Sequence, residues 1–99
     1  MILAVRTFTI QAGKQREAIS ALVAIAKYIN ETLGGDVYVE RNISGPQNQV
    51  HIISERESLA AWESASKKTA ADEKWLGMVS EFEATFVIEH NLLLVEKVL

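Results

Sequence analysis

Seven side chains carry the chemistry that this sequence can do: His51, His90, Arg6, Arg41, Tyr38, Trp62 and Trp75. His51 lies in the alternating run Gln49 to Glu55, just past Ser44-Gly45-Pro46. An imidazole there can act as a general base or hold a substrate oxygen near neutral pH. It can equally be a structural histidine bonded to backbone or to a carboxylate. Arg6 and Arg41 fall on strand-like segments, where a guanidinium facing a cavity binds a carboxylate or phenolate through paired N–H groups. The plainer alternative is an ion pair with Glu40, Glu55 or Glu89. Tyr38 and Trp62 can line an aromatic ligand pocket, Tyr38 also donating a hydrogen bond, or can simply be core. Trp75 fits the packing of a helix. His90, between Glu89 and Asn91, fits the surface or an interface.

Other chemistries find no support. There is no cysteine, which removes disulfides and thiolate zinc sites. The two histidines lack the spacing of a metal-binding pair, so no metal is expected. The glycines form neither a dinucleotide fingerprint nor a phosphate loop. A net charge of −3 argues against nucleic acid as a partner. No run approaches the ~20 apolar residues of a membrane helix, and Met1 to Thr7 does not read as a signal peptide. The expectation is a cytoplasmic protein with no membrane contact. At 99 residues, 48% apolar and 23% charged with one proline, the composition is globular, and residues 1–99 read as a single domain.

The elements that must position these side chains follow from periodicity. Ile2 to Ile10 is β-branched and aromatic, with Ile2, Ala4, Phe8 and Ile10 on one face and Leu3 and Val5 on the other, which predicts a strand covered on both sides. From Lys14 to Leu33 the period changes: Ile19, Leu22, Val23, Ile25, Ala26, Ile29 and Leu33 make one helical stripe, ended by Gly34-Gly35. Asp36 to Ile43 and Gln49 to Glu55 alternate and predict an antiparallel hairpin around Ser44 to Asn48. Ser58 can cap a helix through Leu59, Trp62 and Ala65. Thr69 followed by Asp72 predicts a second start, so Ser58 to Phe82 is one interrupted helix or two. Thr85 to Val98 is a last strand with a bend or bulge near Glu89-His90-Asn91.

The resulting order, β-α-β-β-α-β, predicts an α+β, ferredoxin-like sheet with its helices on one face. Strands with apolar residues on both sides leave the second face in need of a cover. A second copy packed sheet to sheet, a homodimer, is the simplest one.

The chain also resembles the NIPSNAP-like proteins of the dimeric α+β barrel superfamily, which includes the antibiotic-biosynthesis monooxygenases. The likeness runs along nearly the whole chain. Arg6-Thr7-Phe8-Thr9-Ile10 with Gly13-Lys14 resembles the opening strand and turn, with Phe8 where the family usually has tyrosine. Gly45 to His51 resembles the lead into the third strand. Glu57-Ser58-Leu59 with Trp62, and Asp72 with Trp75, resemble the second helical region. The resemblance implies the fold and a homodimer; its monooxygenase relatives oxidise aromatic polyketides or quinols without metal or flavin in a cavity between sheet and helices, so no cofactor is expected. Haem-degrading relatives place an asparagine on the first strand, and this chain has none there. The function expected is a small-molecule-binding homodimer, with cofactor-independent oxygenation of an aromatic or polyketide-like compound as its catalytic form. In that cavity His51 would be catalytic, and Arg6, Arg41, Tyr38 and Trp62 would bind the ligand. The alternative is a non-catalytic binding or scaffold dimer in which these residues serve core and interface.

Overall fold

The computed structural model describes residues 1–99. Its elements are β1 (Ile2–Ile10), α1 (Gln15–Thr32), β2 (Val37–Arg41), β3 (Gln49–Arg56), α2 (Leu59–Ala70), α3 (Glu73–Phe86) and β4 (Val87–Glu96). The sheet has the order β2-β3-β1-β4, and every neighbouring pair is antiparallel. This is the α+β, ferredoxin-like arrangement that the element order predicts.

The registers divide the sheet into rows. Val39, Ile52, Arg6 and Leu92 lie side by side on one face, and Arg41, Val50, Phe8 and His90 form the next row of that face. The core forms where this face meets α1. Phe8, Ile10 and Val50 pack against Ala18, Leu22, Ile25, Ala26 and Ile29, and Phe82 of α3 closes the cluster with its ring edge-on to Phe8, 5.0 Å between centroids. The opposite face carries no helix. Its rows are Tyr38, Ile53, Val5 and Leu93, then Glu40, His51, Thr7 and Asn91.

Local signals explain the element ends. Gly34 takes φ +72° just past α1, a left-handed conformation that glycine reaches without a side-chain clash. Asn30, in the last turns of α1, then binds both backbone groups of Val37, accepting from its N–H at 2.9 Å and donating to its carbonyl at 2.8 Å. That clamp sets where β2 begins. Ser58 caps α2 as expected, its Oγ accepting from Ala61 N–H at 3.1 Å.

Three expectations need correction. The second helical region is two helices, one of its two expected forms, but Asp72 rather than Thr69 starts the second. The Asp72 backbone is extended and its carboxylate accepts from Trp75 N–H at 2.8 Å, whereas Thr69 lies inside α2 and donates to the Ser66 carbonyl. The last strand begins at Val87, because Thr85 and Phe86 complete α3. The irregularity in β4 falls at Ile88: Thr9 pairs with Glu89 and Ile10 with Val87, leaving Ile88 without a partner.

No helix is long and apolar enough to cross a membrane.

Candidate functional site

Between the covered sheet face and the helices lies an open-mouthed cleft of about 200 Å³. Its floor is Ala4, Arg6, Ile52, Ser54 and Arg56 on the sheet. Trp62, Ala65, Ser66 and Thr69 of α2 and Trp75, Val79 and Glu83 of α3 form the other walls. The space exists because α2 presents small residues to the sheet: Ala65 and Ser66 face the cleft, and no residue of α2 is fully buried. The lining is mostly apolar. Its charges are the two guanidiniums and the single carboxylate of Glu83.

Of the residues expected to share such a cavity, Arg6 and Trp62 do. His51 and Tyr38 do not, and this is a correction. His51 pairs with Thr7 and with Glu40 across the strands, and that row faces away from the helices. Tyr38 stands in the neighbouring row of the same bare face. Arg41 is on the covered face but beyond the cleft. It is exposed in a shallow polar hollow with Gln15, Ile43 and Gln47. His90 is exposed on β4, its ring 5.8 Å from that of Phe8.

The surroundings of His51 define its protonation pattern. Asn42 Nδ2 donates to the Pro46 carbonyl at 2.6 Å and to Gln49 Oε1 at 3.3 Å. Its Oδ1 therefore points at the ring and accepts from His51 Nε2 at 2.7 Å. The other nitrogen, Nδ1, then accepts from the Thr7 hydroxyl at 2.8 Å. Both ring nitrogens are thus in use, and the neutral imidazole has no free lone pair to offer a substrate. Tyr38 is likewise no base. Partial burial, then the carboxylates of Glu55, Glu40 and Asp36, raise its pKa above the usual tyrosine value and keep the hydroxyl protonated.

A second polar group ties the helices together behind the cleft. The Tyr28 hydroxyl donates to both carboxylate oxygens of Asp72, at 2.9 and 3.1 Å. The Trp75 backbone N–H is the main cause holding the Asp72 carboxyl below its ordinary value, with Tyr28 and Lys74 adding to it. Burial, then the bond and the charge of Asp72, push Tyr28 upward. This latch fixes the first turn of α3 against α1, and with it the position of Trp75.

Sequence reasoning missed Arg56, Glu83 and the cleft-facing role of Trp75. A signal for Arg56 was present. Val50, Ile52 and Ser54 share one parity, and Arg56 continues it one residue past the strand end expected at Glu55. No group of three or more His, Cys, Asp or Glu side chains is placed to hold a metal ion.

Three solved structures share the architecture with little sequence in common. A NIPSNAP domain protein from Burkholderia xenovorans superposes with a TM-score of 0.77 at 19% identity, covering 98% of this chain and 94% of its own. A NIPSNAP family protein from Agrobacterium tumefaciens gives 0.78 at 21%, covering 97% and 84%. The fold is that of the NIPSNAP-domain proteins. The NIPSNAP-type fold extends to a point mutant of SnoaB from Streptomyces nogalater, described as a cofactor-independent oxygenase, with a TM-score of 0.73 at 17% identity over 99% of this chain and 93% of that one. No family model and no curated protein matches the chain.

Proposed function

We propose that this chain is a homodimeric small-molecule-binding protein whose ligand places an apolar, ring-sized body in the cleft over Arg6 and beside Trp62. The observation that carries the reading is the unfilled apolar space itself. Interiors normally close to crystal-like packing, and a dry apolar cavity on the order of 150 Å³ already accepts benzene. A cleft of about 200 Å³ with an open mouth therefore suits a one- or two-ring compound.

The dimer rests on the bare face. Val5, Ile53, Leu93, Leu3 and Val95 make an apolar band there, and Leu93 is 57% exposed. The chain's accessible surface is 6299 Å², against roughly 5,600 Å² for a folded monomer of this size. A second copy laid on this face removes the excess.

The catalytic form of the proposal is oxygenation of an aromatic or polyketide-like compound without metal or flavin, supported by the fold shared with SnoaB. With His51 on the other face, a proton leaving the substrate would go to Glu83, the one carboxylate that lines the cleft.

The test is calorimetric titration with 2-naphthalenemethanol, alongside an Ala65→Phe variant that fills the cleft. Wild-type binding with at least tenfold loss in the variant, at unchanged far-ultraviolet dichroism, is the expected result. Equal affinity in both proteins places the ligand elsewhere and overturns the reading. Oxygen uptake on a hydroquinone panel, read with the same variant, distinguishes an oxygenase from a pure binder.

A further inference from the structure

Two buried side-chain polar atoms have no hydrogen-bond partner: Arg56 Nε and Trp75 Nε1. Both belong to residues that line the cleft. Both are obligate donors, since neither a guanidinium nor an indole N–H accepts. Buried donors are nearly always matched, because an unmatched one has lost its bonds to water for nothing. Two of them, on residues that β3 and α3 bring to one cavity, call for an acceptor from outside, which meets them once the side chains that cover them turn aside.

We infer that this end of the cleft is an anion subsite and that the ligand is an aromatic carboxylate, its ring in the apolar body of the cleft and its carboxylate taken by the Arg56 guanidinium and the Trp75 indole N–H. The inference rests on the cleft reading above and adds the ligand's charge. The guanidinium is always ionised and carries its N–H groups in a planar fork that matches a carboxylate. Two arginines against Glu83 leave the cleft lining with one uncompensated positive charge. Arg6 stands four residues along the paired strands from Arg56, about 14 Å of strand. Arg56 therefore defines one end of the cleft and Arg6 its middle.

The residues that carry the two donors have defined neighbours outside the cleft. Gly35 has no side chain where a Cβ would meet Ile29 Cγ2 at 2.6 Å and Arg56 Nη2 at 3.4 Å, so the guanidinium packs close beneath the corner between α1 and β2. The Trp75 backbone is fixed through its N–H to Asp72, which Tyr28 holds in turn.

The experiment compares two compounds with one apolar body, 2-naphthoate and the uncharged 2-naphthalenemethanol, by calorimetry at pH 7. The wild-type protein is expected to bind the carboxylate at least tenfold more tightly. Arg56→Gln is expected to bring the two affinities within threefold of each other. Trp75→Phe, which removes only the N–H and keeps an aromatic ring, is expected to shrink the ratio at least threefold and provides the test if Arg56→Gln fails to fold. Equal wild-type affinities overturn the anion subsite and leave the cleft reading standing. A wild-type ratio that persists in the variants overturns the assignment to these donors. Failure of both compounds to bind overturns the cleft reading and the subsite together.

Discussion

Two rows of the sheet lie one residue apart along the strands and behave as opposites. Val39, Ile52, Arg6 and Leu92 face the helices, while Glu40, His51, Thr7 and Asn91 face away. On the bare face the polar groups close on one another: Thr7, His51, Asn42 and Gln49 form one continuous chain of hydrogen bonds. Between the covered face and the helices, Arg56 of β3 and Trp75 of α3 line the unfilled cleft and carry buried donors without partners. A satisfied network can support a fold or an interface but has nothing left for a ligand. Open valences beside open space are what a binding site needs. The histidine that draws attention in the sequence belongs to the first kind, and an arginine that does not belongs to the second.

This contrast can be broken at several points. The largest effect is expected on the bare face. Leu93→Glu puts a charge in the centre of the apolar band, and sedimentation should show half the wild-type mass at micromolar concentration, with naphthoate binding in the cleft retained. A wild-type protein that sediments as a monomer at that concentration removes the dimer from the proposal. A smaller effect is expected for His51→Ala, which deletes two part-buried hydrogen bonds. About 1–2 kcal/mol of unfolding free energy should be lost in urea titration, with the naphthoate affinity within twofold of wild type. A tenfold fall in affinity would move the histidine into the site.

The smallest effect concerns the latch behind the cleft. Asp72 has its pKa lowered in the folded state, so the unfolded chain binds its proton first as the pH falls. The latch therefore stabilises fully above the ordinary aspartate range, and its contribution fades as pH falls through the lower folded value. Asp72→Asn should lower the urea midpoint at pH 6–7. The gap to wild type should close progressively below about pH 4, the ordinary aspartate value. A gap that does not vary with pH would show that the carboxylate charge plays no part.

Much of the architecture is legible in the sequence, for reasons that are local. The 3.6-residue stripe through Leu22, Ile25, Ala26 and Ile29, the alternation of Val37 to Arg41 and of Val50 to Ser54, the Ser58 cap and the Gly34 terminus each depend on neighbours in the chain. They suffice to give the element order and, through it, the ferredoxin-like sheet. Helix starts are less legible where two signals overlap. Thr69 and Asp72 can both cap, and only the packing of Tyr28 against Asp72 selects the second.

Alternation says which side chains of a strand share a face but not which face the helices will cover. With apolar residues at both parities of β1, that choice is made by the packing of α1 and Phe82 on Phe8 and Ile10. It sends Arg6 into the cleft and His51 out of it. The same packing decides which polar atoms find partners, as Asn42 closes on His51 and nothing reaches Arg56 Nε. Local pattern thus determined the elements, their order and the two apolar faces. The tertiary structure alone decided which face holds a site, because unfilled space and unmatched donors arise only where separate elements meet.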